Sequence, residues 1–115
     1  MARQLRTDSE IDAFIASVIQ QATHHATSVA TVIQPLSDEV RGRLNLGRDK
    51  VEVYERDGKI ARTCWVTIKG KRYVFSYNYQ DAVIDLKDRS TQGRLRCRFD
   101  NSTSLTAIQQ EVARL

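Results

Sequence analysis

Residues 50–78 read KVEVYERDGKIARTCWVTIKGKRYVFSYN, and this stretch decides the fold class. Apolar and polar residues alternate along much of it, with the period of two that is typical of a half-buried β-strand. Two turn signals divide the stretch. Asp57-Gly58 is a hairpin dipeptide, and Gly70-Lys71 places glycine at the first central position of a type II′ turn. The stretch therefore predicts three antiparallel strands joined by tight turns.

A second alternating stretch, closed by a loop over residues 88–93, adds two strands to this sheet. Each turn fixes which residues face each other across neighbouring strands. The expected pairs are Val51 with Cys64, Val53 with Arg62, Ile68 with Tyr73, Val66 with Phe75, Cys64 with Tyr77, Leu86 with Leu95, Ile84 with Cys97 and Ala82 with Phe99. All three registers place apolar residues on the same face, so the sequence predicts a five-stranded antiparallel meander. The two cysteines then lie on strands about 14 Å apart, too far for a disulfide.

Upstream of the sheet, Thr7 and Glu10 have capping-box spacing, and an apolar period of 3.6 residues follows them. The pattern predicts one helix from Ser9 to Gln34, ended by Pro35. Such a helix would be about 39 Å long, whereas a domain of this size is about 35 Å across. The helix therefore crosses the whole domain, breaks in the Thr- and Ser-rich segment 23–31, or extends onto a partner.

A short second helix begins at Ser37 and ends at Gly47, and Asn101–Ser104 caps a C-terminal helix. The predicted architecture is a single α+β domain over residues 1–115. It has a long N-terminal helix, a short second helix, the five-stranded meander and the C-terminal helix, with the helices on one face of the sheet. The absence of a leader sequence and of an apolar run of about 20 residues favours a cytoplasmic protein.

The net charge of +4 is unevenly distributed, because residues 51–115 hold twelve Lys and Arg against eight Asp and Glu. Arg94, Arg96 and Arg98 alternate along one strand and are expected to point to the outer face of the sheet. Basic and aromatic side chains on an open sheet can bind phosphates and stack bases. Nucleic-acid binding is therefore one hypothesis. Its candidate residues are Arg94, Arg96, Arg98, Lys69, Arg72, Lys87 and Trp65. An ion pair between Asp85 and Arg96 is the structural alternative.

The same outer face supports a hypothesis of self-association. Tyr54, Trp65 and Val74 would form an exposed apolar patch there, and large patches of this kind usually mark a contact surface. Together with the overlong first helix, the patch favours a homo-oligomer, most simply a two-fold dimer. A non-enzymatic, homo-oligomeric interaction module is the leading functional hypothesis.

A small-molecule pocket between helix and sheet is the third hypothesis, with His25, Arg62, Tyr77 and Tyr79 as its candidate residues. His24 and His25 are adjacent, so on a helix they point about 100° apart and do not chelate one metal ion. His25 falls on the apolar stripe, where a buried hydrogen bond is the expected role. The sequence contains no Gly-rich phosphate loop and no GxSxG motif. We therefore expect no catalytic residue, metal or cofactor.

The chain resembles the small proteins encoded by mobile integron gene cassettes. The residues that carry the resemblance are His24-His25-Ala26, Tyr54–Lys59, Trp65–Tyr73, Phe75–Asn78 and Phe99–Thr103. The resemblance implies a bacterial origin, an α+β fold and self-association, in some members with a pocket. It implies no reaction and no functional residue.

Overall fold

The alternating stretch forms the centre of a six-stranded antiparallel sheet in which each strand pairs with the next along the chain. The strands are β1 (Ala2–Leu5), β2 (Lys50–Arg56), β3 (Lys59–Ile68), β4 (Lys71–Asn78), β5 (Val83–Asp88) and β6 (Leu95–Phe99). The sequence predicted five of them. The addition, β1, is a four-residue edge strand in which Leu5 pairs with Val51 and is fully buried. Four residues are too few to establish a period of two.

The structure is a computed structural model that describes the backbone of residues 2–56 and 59–115 and the side chains of residues 3–54 and 63–115. The predicted Asp57-Gly58 turn lies outside the described residues. The side chain of the pocket candidate Arg62 does so too, although its backbone belongs to β3.

The turn between β3 and β4 differs from the prediction by one position. Ile68 pairs with Lys71, so the two loop residues are Lys69 and Gly70. Both have positive φ angles, 51° and 81°, and a two-residue loop with two such residues is a type I′ turn. The β3–β4 pairs expected from a Gly70-Lys71 loop were therefore wrong by two residues. Since the shift is even, every side chain keeps its predicted face.

Two irregularities shift the other predicted registers. Next to the hairpin end of β2, Glu55 pairs with Ile60 as the predicted turn requires, but a bulge before Glu55 moves Cys64 opposite Val53. The expected pairs Val51–Cys64 and Val53–Arg62 were thus wrong, again by two residues. The corrected β5–β6 pairs are Ile84 with Phe99, Asp85 with Arg98 and Leu86 with Cys97. Local bulges of this kind leave no mark in a pattern of apolar alternation.

The predicted first helix is two helices. α1 spans Asp8–His25 and α2 spans Ile33–Arg43, while α3 (Leu105–Val112) follows the sheet. Of the three possibilities for the long helix, the break within residues 23–31 is confirmed. Pro35 was wrongly taken as the end of a helix, and Ser37 as the start of the next. Pro35 lies in the first turn of α2, where its missing N–H needs no partner.

Side-chain hydrogen bonds fix the ends of these helices. Thr7 Oγ1 accepts a hydrogen bond from the Glu10 N–H (3.1 Å), as the capping box predicted, and Ser104 caps α3. The segment between α1 and α2 is bound to the loop before α3, because the Asn101 carboxamide accepts from the Thr31 N–H (2.9 Å) and donates to the Thr27 carbonyl (2.7 Å). Residues that were read only as turn and cap signals therefore hold the helices together.

All three helices contribute to one apolar core with the inner face of the sheet, as predicted. α1 and α2 run antiparallel, because Arg41 near the end of α2 contacts Asp8 and Asp12 near the start of α1. The molecule measures 34 × 33 × 27 Å, and α1 at about 27 Å fits within it. Cys64 and Cys97 are free thiols, as expected. Within the described ranges, none of the helices has the length and apolarity that crossing a bilayer demands.

Candidate functional site: a cavity between the helices and the sheet

A cavity of about 250 Å³ lies between the α1–α2 pair and the inner face of the sheet, and it is partly open to solvent. Its walls are mainly apolar. The helices contribute Phe14, Val18 and Leu36 among others, and the sheet contributes Cys64, Val66 and Phe75. Several lining side chains, including Phe14, Val18 and Phe75, pack against the core and yet are only partly buried. The helices therefore leave part of the apolar sheet surface uncovered.

Small side chains make room for this cavity. Ala22 lies on the inward side of α1, Ala26 lies just past its end, and Cys64 of β3 lines the same cavity. Leucine or phenylalanine at these positions would be the ordinary way to fill such a space. A space flanked by small residues and lined by larger apolar ones is typical of a site for an apolar ligand.

Polar side chains line the cavity at the end where α1 and β4 finish. Gln21 and His25 come from the last part of α1, and Tyr77 and Tyr79 come from the end of β4 and just beyond it. The two tyrosine rings meet edge to face with centroids 4.8 Å apart, and Tyr79 is 61% exposed. The structure thus brings together three of the four residues predicted for a pocket: His25, Tyr77 and Tyr79.

The expectation that His25 satisfies a buried hydrogen bond was wrong. Both His24 and His25 are exposed, because α1 ends at His25 and the chain leaves the helical path at Ala26. His25 consequently lies at the mouth of the cavity. Across the described residues, no group of three or more His, Cys, Asp or Glu side chains is placed to hold a metal ion.

The charged group at the cavity wall is already neutralised. Arg41 lines the cavity but forms hydrogen-bonded ion pairs with Asp12 and Asp8. These bonds raise the pKa of the Arg41 guanidinium above its ordinary value, and the bond to Asp12 has the larger effect. The Arg41 charge is therefore balanced by these two carboxylates, and the ion pairs connect α2 to α1.

Cys64 adds a neutral group to the wall. Apolar surroundings remove water from its thiol and raise the pKa to about 12, because the thiolate is poorly stabilised there. The side chain is partly accessible, but from within the apolar cavity. At neutral pH Cys64 is therefore a small apolar side chain rather than a nucleophile.

The predicted arginine stripe does not form on one face. Arg98 bonds to Asp85 (3.1 Å) and Asp81 (3.3 Å), whereas Arg96 bonds to Asp88 (3.0 Å) and lies 5.4 Å from the centre of the Tyr73 ring. Asp88 is paired with Tyr73 and Asp85 with Ser76, which places the two carboxylates on opposite faces. The irregular pairing between β5 and β6 turns Arg96 away from Arg98. The predicted pair Asp85–Arg96 was also wrong, since the partner of Asp85 is Arg98.

The other nucleic-acid candidates come from several elements, and among them Lys87 shares Asp85 with Arg98. Arg94 precedes β6, and Lys69 is in the β3–β4 turn. The Arg72 guanidinium lies 5.3 Å from the centre of the Trp65 ring. Lys87 donates to the Thr91 carbonyl (3.0 Å) and lies 3.9 Å from Asp85. These residues therefore do not combine with Arg96 and Arg98 into a single stripe.

The predicted apolar patch on the outer face is also broken. Val74 is fully buried, because it lies between Trp65 on β3 and Lys87 on β5, whose longer side chains flank it. Trp65 is half-buried beside Arg72, and only Tyr54 is exposed, at 38%. The expectation that Val74 contributes to an exposed surface was wrong.

Sequence reasoning missed most of the cavity wall. The apolar period of the first helix, which includes Phe14 and Val18, predicts a buried stripe but no cavity, and it gives no reason to select Gln21. The one available signal was the pair of small residues on the apolar stripe of the predicted first helix, Ala22 and Ala26. Where the inward-facing side chains of a helix are alanines and the sheet opposite carries a cysteine, these small side chains leave volume unfilled.

The chain matches one protein family along most of its length. The family is described as "Integron cassette protein VCH_CASS1 chain", and the match covers residues 11–109, from the first half of α1 into α3. It includes every residue that lines the cavity. No curated protein matches the chain.

Proposed function

The chain belongs to the integron cassette protein VCH_CASS1 family, and we propose that it is a binding protein whose helix–sheet cavity takes a small apolar molecule. One observation carries the proposal: apolar side chains from α1, α2 and the sheet line a cavity of about 250 Å³ that is partly open to solvent. Protein interiors are normally packed as densely as organic crystals. An apolar cavity of this size that is left uncovered between helices and sheet offers a small apolar molecule more contact than water does.

The size and lining of the cavity limit the ligand. Ligand sites commonly measure about 300–1,000 Å³, so this cavity suits a molecule of one or two rings rather than a long chain. The walls supply apolar contact, and Gln21, His25, Tyr77 and Tyr79 supply hydrogen-bonding groups at the mouth. Arg41 is occupied by Asp12 and Asp8, which disfavours a carboxylate buried at that wall. We expect a compact apolar ligand with one uncharged polar end at the mouth.

A direct test uses 2-naphthol as the probe, because it combines a two-ring apolar body with a hydroxyl group. Isothermal titration of the purified protein should show saturable binding to one site. Cys64→Leu and Ala22→Leu add bulk at two walls of the cavity, so each should weaken binding at least tenfold. Filling a void need not cost stability, because overpacking strains only a well-packed core.

The matched control is Cys97→Leu, the same substitution at a cysteine on the inner face of the sheet but outside the cavity lining. It should bind 2-naphthol like the original protein. The proposal fails if the protein takes up no probe, or if all three variants bind it equally well.

Self-association stays a prediction of the sequence and of the family resemblance. Two features that favoured self-association are not found in the structure. The first helix is not overlong, because α1 ends after 18 residues, and Val74 is buried and adds nothing to an exposed patch. Exposed Tyr54 still supports a contact surface near β1 and β2. Light scattering during size-exclusion chromatography, at micromolar protein, measures the oligomeric state directly.

A further inference from the structure

One end of the sheet carries a row of exposed cations. It comprises the β3–β4 turn, the β5–β6 loop and the start of β2 and β4. We call it the basic rim, and its members are Lys50, Lys69, Lys71, Arg72, Arg89 and Arg94. In the part of the chain that the structure describes, no carboxylate lies within ion-pair distance of any of the six.

Buried Asp49 attaches one loop of this rim to another. Its carboxylate accepts the backbone N–H of Lys69 and that of Asn45, both at 3.0 Å. Arg48 donates to the same carboxylate at 3.1 Å. The β3–β4 turn is therefore fixed to the segment that leads from α2 into β2.

A second set of bonds brings in the β5–β6 loop. The Arg89 N–H donates to the Arg72 carbonyl at 2.9 Å, and the Lys87 ammonium donates to the Thr91 carbonyl at 3.0 Å. The cations of the loop are thus held beside those at the start of β4. The backbone that carries the rim is therefore fixed along the edge of three connected segments.

Three carboxylates near the rim are already occupied. Asp49 is paired with Arg48, Asp88 with Arg96, and Asp85 with Arg98. These three carboxylates form ion pairs with Arg48, Arg96 and Arg98, which are not members of the rim, and none of them pairs with a rim cation. Six exposed like charges along one edge produce a positive field that attracts a polyanion.

We propose that the basic rim binds the phosphate backbone of nucleic acid, without reading its sequence. From β2 to β6 the rim crosses four strand spacings, about 19 Å. Phosphates follow one another at about 3.4 Å of axis along each strand of a duplex, so the rim can face several of them. An extended row of charges suits a linear polyanion better than one small anion. Gly70, Ser90 and Gln92 between the cations are not apolar, and Leu95 beside Arg94 is a single exposed apolar side chain at 41%. Duplex DNA is therefore favoured over a bilayer.

Fluorescence anisotropy with a short labelled duplex DNA of mixed sequence tests this inference between about 50 and 200 mM salt. The protein should bind saturably, and its affinity should fall steeply as salt rises. Lys69 and Arg89 have positive φ angles of 51° and 67°, which asparagine tolerates well. Lys69→Asn and Arg89→Asn therefore remove a charge without straining the fold. Each should weaken binding and reduce the salt slope by about one.

The control is Arg114→Gln, which removes one exposed charge that is not part of the rim and is already paired with Glu111. It should leave affinity and slope unchanged. Equal losses in all three variants would overturn the inference, because only total charge would then matter. Flat titrations at the lowest salt would overturn it too, as would binding to phosphatidylserine vesicles without binding to DNA. None of these results bears on 2-naphthol in the cavity.

Discussion

At the scale of single residues, Asp49 shows how one buried carboxylate positions two loops. It is 2% exposed and receives hydrogen bonds from Arg48, Asn45 and Lys69. The Arg48 bond is the largest cause of a pKa held well below the usual value of 3.8. The two backbone N–H groups lower it further, and burial opposes them. A sequence pattern shows an Asp before a strand but none of these partners.

Asp49→Asn should destabilise the fold by about 1–3 kcal/mol at pH 7, since the amide cannot satisfy all three donors. The effect should shrink in acid. Because the folded state lowers the pKa of Asp49, its contribution is complete above about pH 4 and is lost as pH falls below that. Urea unfolding at pH 7 and pH 3 measures both values. Asp38→Asn, at an exposed position of α2, is the control, and a similar loss there would contradict this account.

Cys64 permits a second prediction at this scale. Its thiol pKa of about 12, against an ordinary 9.0, leaves about a thousandfold less thiolate at pH 8, and the thiolate is the species that reacts. Alkylation of Cys64 by iodoacetamide should therefore be at least about tenfold slower than that of a small free thiol, since the greater nucleophilicity of a more basic thiolate offsets part of the loss. Mass spectrometry of peptides over time gives the rate. Alkylation as fast as that of the small thiol would show that water reaches Cys64 freely.

At the scale of elements, the sequence predicted strands and helices better than their registers. Apolar alternation identified five strands, and an even shift of two residues preserved the faces of β2, β3 and β4 despite the wrong pairs. The edge strand β1 was too short for a pattern. Pro35 was misread because a proline is equally suited to the first turn of a helix and to the position after one.

The β3–β4 turn gives a prediction that distinguishes a required glycine from a dispensable one. Gly70 has φ of +81°, and a Cβ there would meet no atom within 4 Å, so only backbone strain opposes Gly70→Ala. We expect a loss of about 1–2 kcal/mol. Gly42 lies in α2 and is equally uncrowded. Gly42→Ala should therefore gain about 0.5–1 kcal/mol from helix propensity. Urea unfolding of both variants checks the opposite signs, and a shared sign would refute the turn assignment.

At the scale of the whole molecule, the candidate sites depend on features that a sequence pattern does not contain. His25, Tyr77 and Tyr79 were named from their apolar stripe and strand ends, and the structure places them around one cavity. The size of that cavity follows from the distance between α1 and the sheet, which periodicity does not report. The arginine stripe was an inference from regular alternation, and an irregular pairing between β5 and β6 divides it.

The cavity mouth and the basic rim occupy opposite ends of the sheet. Tyr77 lies near the end of β4 and Lys71 at its start, about 20 Å apart along the strand. A ligand in the cavity and a polyanion on the rim would thus bind without touching each other. Variants of one site are therefore internal controls for the other.

The most direct test of the cavity as a binding site is an NMR measurement of contacts between 2-naphthol and isotope-labelled protein. The account predicts nuclear Overhauser effects from the naphthol ring to methyl groups of both walls, such as Ala22 and Leu36 on the helices and Val66 and Ile84 on the sheet. Contacts confined to exposed apolar residues such as Leu105, or no contacts at a saturating concentration, would contradict it.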